Sequence, residues 1–116
     1  MHEANVMHSV LEMAFSHMRQ HGASRIHRLG LRIGALSGVA PDALVFSFEA
    51  LKPGTPAGEA VLEVEYLSLR LYCPACDLEF EADGYLGACP ACGSWRCEVR
   101  QGRELDLSCL EVSNGE

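Results

Sequence analysis

Basic residues are scarce in this sequence. Nine Lys and Arg residues stand against 16 Asp and Glu residues, which gives a formal net charge of −7. Proteins that bind nucleic acid neutralise phosphates with clustered Lys and Arg, and this sequence contains no such cluster. We therefore expect no nucleic-acid partner.

Long apolar runs are also lacking. A membrane-spanning helix needs about 20 consecutive apolar residues, and the longest runs here fall far short of that length. The first residues likewise lack a basic segment followed by an apolar stretch, which is the pattern of a secretory signal. We therefore expect a soluble protein of the reducing cytoplasm with no membrane contact. Its 116 residues correspond to about one domain with a modest core.

Two segments have the periodicity of amphipathic helices. Between Glu3 and His21 apolar residues recur every three or four positions, and Gly22 follows as a stop signal. Pro41 can open a second helix with Asp42 in its first turn. The expected buried positions are Met7, Leu11, Ala14, Phe15 and Met18 in the first helix and Leu44, Val45, Phe48 and Leu51 in the second.

Three further segments alternate apolar and polar residues as half-buried strands do. The first covers residues 27–33. The second starts at residue 62, and its apolar residues change parity near Tyr66, which predicts a bend or bulge there. The third covers residues 105–112 and changes parity after Leu107, which predicts a local irregularity. The sequence thus predicts an α+β fold with two helices packed on a three-stranded sheet.

Four of the six cysteines form two pairs. Cys73-Pro-Ala-Cys76 and Cys89-Pro-Ala-Cys92 are separated by twelve residues, which is the spacing of a closed four-thiolate zinc site. Such a site leaves no open coordination position, so the zinc would be structural. Redox-active thiols and another metal, such as iron, are the less favoured alternatives.

The cysteine pairs lie between two strand patterns, which indicates an insertion. We expect residues 71–99 to form an inserted four-cysteine zinc-ribbon domain, and residues 1–70 and 100–116 to form one discontinuous α/β domain. We call the two Cys-Pro-Ala-Cys turns the first and second knuckles. Asp77 follows the first and Gly93 the second, at a position that often has a left-handed backbone. Cys97 and Cys109 have no partner at ligand spacing, and we expect them to be small apolar residues. Tyr85 and Trp95 are expected to pack within the zinc segment.

The chain begins Met1-His2-Glu3. A histidine at the second position can chelate a metal through its imidazole together with neighbouring backbone nitrogens. Such nitrogen-rich, near-planar ligand sets suit Ni(II) or Cu(II). Taken alone this signal is weak, because a histidine near a chain terminus is usually only solvated.

Four features together resemble the HypA/HybF family of hydrogenase-maturation nickel chaperones, and the resemblance covers nearly the whole chain. They are Met1-His2-Glu3, the loop Gly34-Ala35-Leu36-Ser37-Gly38-Val39, the cysteine quartet, and Gly102-Arg103-Glu104-Leu105. The resemblance implies a non-catalytic protein that carries nickel as transient cargo on its α/β domain and zinc as a structural ion. It also implies a HypB-type GTPase and the [NiFe]-hydrogenase large subunit as partners.

The resemblance assigns the nickel ligands by position. His2 would supply the imidazole, Met1, His2 and Glu3 would supply backbone nitrogens, and the Glu3 side chain would orient the site. Family members commonly carry Glu where Ala35 and Ala40 stand here, so Asp42 is the nearest substitute for a carboxylate ligand.

Other interpretations stay open at this point. The chain could be a zinc-ribbon module that binds protein or nucleic acid without transporting nickel, although its negative charge disfavours a phosphate partner. It could also be a thiol–disulfide enzyme that uses Cys-Pro-Ala-Cys. His17 and His21 share a helical face at a spacing that can hold a metal, but they lack a third ligand nearby. We expect His8 and His27 to be exposed or packed without a metal.

Overall fold

The computed structural model describes residues 3–82 and 87–114. Met1 and His2, expected to bind nickel, and Tyr85, expected to pack in the zinc segment, lie outside the described residues. The two helices are α1 (Glu3–Gln20) and α2 (Pro41–Leu51), and a 3₁₀ helix covers Ala35–Ser37. Gly22 has a φ of 69°, so a left-handed residue follows α1 as the sequence indicates.

Within the described residues, six strands form two three-stranded sheets. In the first sheet, β1 (Arg25–Gly34) is central, with β2 (Val61–Leu67) parallel to it and β6 (Leu105–Ser113) antiparallel. In the second sheet, β3 (Leu69–Cys73) is central, with β4 (Leu78–Ala82) and β5 (Glu98–Gln101) both antiparallel. We call the first the mixed sheet and residues 69–101 the cysteine module. The fold class predicted from the sequence is confirmed.

One face of the mixed sheet carries the core. β1 contributes Leu29, Leu31 and Ile33, which are buried beneath the helices. The opposite face is polar, and Arg28 pairs there with Glu63 and Glu111. The helices supply the other half of the core with Met7, Val10, Leu11, Ala14, Met18, Leu44 and Phe48.

The buried stripe of α2 differs from the expected one. Leu44 and Phe48 are buried as predicted, but Val45 is 42 % exposed and Leu51 is 36 % exposed. Ser47 takes the remaining buried position. Consecutive helical residues are about 100° apart around the axis, so only one of the neighbours Leu44 and Val45 can face the core fully. The prediction that Val45 and Leu51 are buried is therefore wrong.

The parity change in the third predicted strand is a β-bulge. Gly30 pairs with Cys109 and Leu31 pairs with Leu107, which leaves Ser108 as an extra residue in β6. A Cβ on Gly30 would lie 2.9 Å from the Cβ of Cys109. Glycine is therefore needed opposite the bulge for steric reasons.

The parity change after Tyr66 marks a change of sheet. β2 ends at Leu67, and β3 begins at Leu69 in the second sheet. Only Ser68 separates β2 from β3. The bend expected near Tyr66 is therefore the point where the chain passes from the first sheet to the second. The molecule is elongated, with extents of 59 × 25 × 16 Å. Among the described residues, no helix has the length and apolar character needed to cross a membrane.

Candidate metal centres

The two knuckles are tight turns that follow from their sequences. The first connects the end of β3 at Cys73 to the start of β4 at Leu78. In the second, the Gly93 N–H donates to the Cys89 carbonyl at 2.8 Å, and the Cys89 N–H donates to the Ser94 carbonyl at 2.9 Å. Asp77 has a φ of 51° and Gly93 a φ of 75°, so both predicted left-handed positions are confirmed.

The four cysteines converge on one point. The sulfurs of Cys73, Cys76, Cys89 and Cys92 all lie within 4.8 Å of one another. A tetrahedral ion with metal–sulfur bonds of about 2.3 Å needs sulfurs about 3.8 Å apart, and Cys73 and Cys92 are 3.7 Å apart. The residues therefore fit a tetrahedral metal ion. The first cysteine of each pair is buried and the second is exposed.

The thiols of this cluster differ in acidity. Hydrogen bonding to Cys92, followed by burial, raises the pKa of Cys76 to about 12. Burial acts to raise the pKa of Cys89 as well, but the backbone N–H groups of Cys92 and Ala91 and the neighbouring thiols outweigh it and lower that pKa to about 7. Cys89 therefore forms a thiolate at neutral pH more easily than Cys76 does.

Polar contacts brace the first knuckle from its flanks. The Tyr72 hydroxyl donates to Asp77 at 2.7 Å, and this hydrogen bond raises the pKa of Tyr72. The Arg100 guanidinium lies 4.2 Å from the centre of the Tyr72 ring, a cation–π contact. These contacts tie β3 and β5 to the turn that carries Cys76, and they are contacts that sequence spacing did not indicate.

Cys97 lies beside the cluster, which differs from the simple apolar role expected for it. Its sulfur is 3.6 Å from the Ser94 carbonyl that also accepts the Cys89 N–H. Burial raises the pKa of Cys97, and the neighbouring Cys73 thiolate raises it further. Cys109 is exposed and pairs with Gly30 in the mixed sheet, outside this cluster. Trp95, expected to pack within the zinc segment, is 67 % exposed, so that prediction is wrong.

The second candidate centre is at the start of α1. The Ala40 N–H donates to the Glu3 carboxylate at 3.1 Å, and Asp42 lies in the first turn of α2. The structure therefore brings Glu3 to the loop that precedes Asp42. Ala40 precedes α2 and offers no side-chain cap to it. Its N–H is bonded instead to Glu3, and nothing local in the sequence indicates this partner, which lies 37 residues away. The expected ligands Met1 and His2 lie outside the described residues.

The remaining histidines are not gathered into a centre. His17 and His21 line a groove of about 280 Å³ beside β6, and His21 Nδ1 is 2.9 Å from the His17 carbonyl oxygen. His27 Nε2 is 2.7 Å from the Ser113 hydroxyl, and His8 is exposed on α1. Within residues 3–82 and 87–114, the four cysteines are the one group in which three or more ligand side chains converge.

Comparison with known proteins gives consistent results. Residues 1–112 match the family model described as "Hydrogenase/urease nickel incorporation, metallochaperone, hypA". The chain is similar to the hydrogenase maturation factor HypA of Rhizobium leguminosarum bv. viciae, with 39 % identity over 97 % of this chain and 99 % of that protein. It is 38 % identical to HypA of Picosynechococcus sp. over the same shares of the two chains.

Solved structures resemble the chain along almost its whole length. The solution structure of the Ni metallochaperone HypA from Helicobacter pylori matches with a TM-score of 0.68 at 27 % identity, over 97 % of this chain and 98 % of that one. A second solution structure, of a HypA protein, matches with a TM-score of 0.71 at 27 % identity, over 98 % of each chain.

Proposed function

This chain belongs to the HypA family, and on that premise we propose that it is a non-catalytic nickel metallochaperone that binds Ni(II) at its N-terminus and delivers it for [NiFe]-hydrogenase maturation. The observation that carries the proposal is the family match across residues 1–112, which includes both candidate centres. The expected cellular location is the cytoplasm, where the hydrogenase precursor would receive its metal.

Nickel would be held by the His2 imidazole together with backbone nitrogens of Met1, His2 and Glu3. The start of α1 at Glu3 supports this assignment. Glu3 is the first residue of α1, so its backbone nitrogen lies at the helix end that adjoins Met1 and His2 in the sequence. The Glu3 carboxylate is held at the Ala40 N–H, so its role would be to orient the segment. Asp42 is the proposed further ligand, from the start of α2.

The cysteine cluster would hold a structural zinc ion. Four thiolates in a closed set favour zinc over nickel, because nickel delivery needs a site that can open. We further propose that residues 71–99 form a separate zinc domain inserted into the α/β domain of residues 1–70 and 100–116. Zinc would then stabilise this small insertion, which has few buried residues of its own.

Delivery would depend on partner proteins. A site on a terminal segment can be dismantled without unfolding the domain, so a docked partner could take the nickel. The HypB-type GTPase and the hydrogenase large subunit are the proposed partners. Cu(II) would compete for the same nitrogens, because affinity rises from nickel to copper. Selectivity would therefore rest on metal availability and on docking.

The test is to titrate nickel into zinc-loaded protein that begins at Met1 and to monitor binding by absorbance and by calorimetry. We expect one nickel site per chain that is lost in His2→Ala and in protein with a short extension before Met1. His8→Ala is the matched control, because His8 is an exposed histidine on α1, and it should bind nickel normally. Nickel binding that is unchanged in both His2→Ala and the extended protein would refute the proposed site.

A further inference from the structure

The mixed sheet and the cysteine module meet at a contact between two glycines. Gly34 ends β1, and Gly102 follows the last residue of β5. A Cβ placed on Gly34 would lie 2.2 Å from both the carbonyl carbon and the carbonyl oxygen of Gly102, and 2.6 Å from Glu104 Oε1. Such distances are far inside van der Waals contact, and two of these atoms belong to the backbone. No side chain larger than hydrogen fits at Gly34.

The reason for glycine at position 34 is this contact alone. Gly34 has φ −90° and ψ 156°, an extended backbone that any residue can adopt. Gly102 differs, because its φ of 133° favours glycine. A Cβ on Gly102 would also lie 3.3 Å from the Cα of Leu69. Gly102 is thus held between the end of β1 and the start of β3.

Hydrogen bonds close the contact from both sides. The Leu36 N–H donates to the Gly102 carbonyl at 2.7 Å, and the Gly34 N–H donates to the Glu104 carbonyl at 2.8 Å. The Glu104 side chain turns back and accepts the Gly102 N–H at 2.9 Å. A fourth bond joins the two chain crossings, because Gln101 Nε2 donates to the Ser68 carbonyl at 2.9 Å.

We infer that Gly34, Gly102 and Glu104 form a latch that fixes the cysteine module in one orientation against the mixed sheet. The mixed sheet and the cysteine module are joined by short crossings at Ser68 and Gly102, and without further contacts they could rock against each other. The latch removes this freedom by steric fit and by hydrogen bonds that involve no metal ligand. The loop that starts at the latch ends at Ala40, where it holds Glu3. The latch therefore also sets where the module stands relative to the start of α1.

The first experiment replaces Gly34 with Ala in zinc-loaded protein. We expect amide hydrogens of Leu36 and Gly102 to exchange at least about tenfold faster. Residual dipolar couplings of the two sheets, which should fit one common alignment tensor in the unmodified protein, should then need two.

Gly38→Ala is the matched control for this experiment. Gly38 lies in the same loop, and a Cβ placed there would meet no atom within 4 Å. Its φ of 76° means that alanine adds backbone strain to the loop, but without a clash at Gly102. This variant should keep slow exchange at Gly102 and a common tensor for the two sheets.

A milder pair of variants tests the Glu104 carboxylate. Glu104→Gln keeps an oxygen that can accept the Gly102 N–H, so it should keep the latch closed. Glu104→Ala removes that acceptor, so Gly102 exchange should rise while zinc content stays at one ion per chain. The inference is overturned if the unmodified protein already needs two tensors, or if neither Gly34→Ala nor Glu104→Ala changes exchange and alignment.

Discussion

Residues of the same type have different environments in the cysteine cluster. Cys73 is fully buried and Cys89 is 2 % exposed, whereas Cys76 and Cys92 face solvent. The inner thiols are fixed by the end of β3 and by the backbone of the second knuckle. The outer thiols sit on the exposed side of both turns. A metal ion would therefore enter and leave from the side of Cys76 and Cys92.

The acidities of these thiols predict how metal binding depends on pH. Metal binding requires thiolates, and the pKa of Cys76 is raised to about 12, so its proton must be expelled at neutral pH. Cys89, with a pKa lowered to about 7, loses its proton within the working range. The metal-bound form carries fewer protons than the metal-free form, so affinity must rise with pH.

We expect the apparent zinc dissociation constant to fall at least about tenfold per pH unit between about pH 6 and about pH 8. The measurement is competition with a chromophoric chelator at several pH values. The chelator's own protonation must be corrected for at each point. A pH-independent zinc affinity would contradict the assignment of four thiolate ligands.

At the scale of elements, α2 is apolar on more than one side. Its core side carries Leu44 and Phe48, whereas Val45 and Phe46 face outward, and Phe46 is 76 % exposed. Hydrophobicity alone therefore does not identify the buried side of this helix. The packing against α1 and β2 decides it.

Neighbouring residues on α2 allow a direct check of this orientation. Leu44→Ala should destabilise the fold by about 2–5 kcal/mol, because it leaves a cavity in the core. Val45→Ala should cost less than about 1 kcal/mol, because that side chain is partly exposed. Denaturant unfolding of both variants measures the difference. Equal losses would show that α2 is rotated from the orientation described above.

At the scale of the whole molecule, the hydrophobic core and the cysteine cluster occupy different parts of an elongated structure. The core cluster includes residues of α1, α2 and the mixed sheet but none of the cysteine module. The module has few buried apolar side chains, among them Leu69 and Leu71. A metal ion held by the four cysteines would therefore contribute more to the stability of this module than to that of the mixed sheet.

Removal of the metal should accordingly affect one part of the chain. A zinc chelator, or Cys73→Ala, should unfold the cysteine module, since metal binding supplies on the order of 10 kcal/mol there. The signals of α1, α2 and the mixed sheet should persist in two-dimensional NMR spectra. Cys109→Ala is the control, because that exposed cysteine is outside the cluster, and it should retain zinc. Protease resistance of residues 69–101 in the metal-free protein would contradict this expectation.

The amino-acid sequence by itself determined the features that depend on neighbouring residues. Periodicity located both helices and the strands of the mixed sheet, and parity changes located the Ser108 bulge and the crossing at Ser68. The spacing of two Cys-Pro-Ala-Cys turns located the four-cysteine cluster. These features are readable because each arises from local backbone geometry or from a repeat of two or about 3.6 residues.

The tertiary structure alone decided the features that join distant parts of the chain. It selected Leu44 over Val45 for the core, placed Cys97 beside the cluster, brought Glu3 to Ala40, and closed Gly34 onto Gly102. None of these leaves a periodic signal, because contact between residues far apart in sequence depends on how complete elements pack. The sequence indicated the candidate metal ligands, and the packing decided how those within the described residues are positioned.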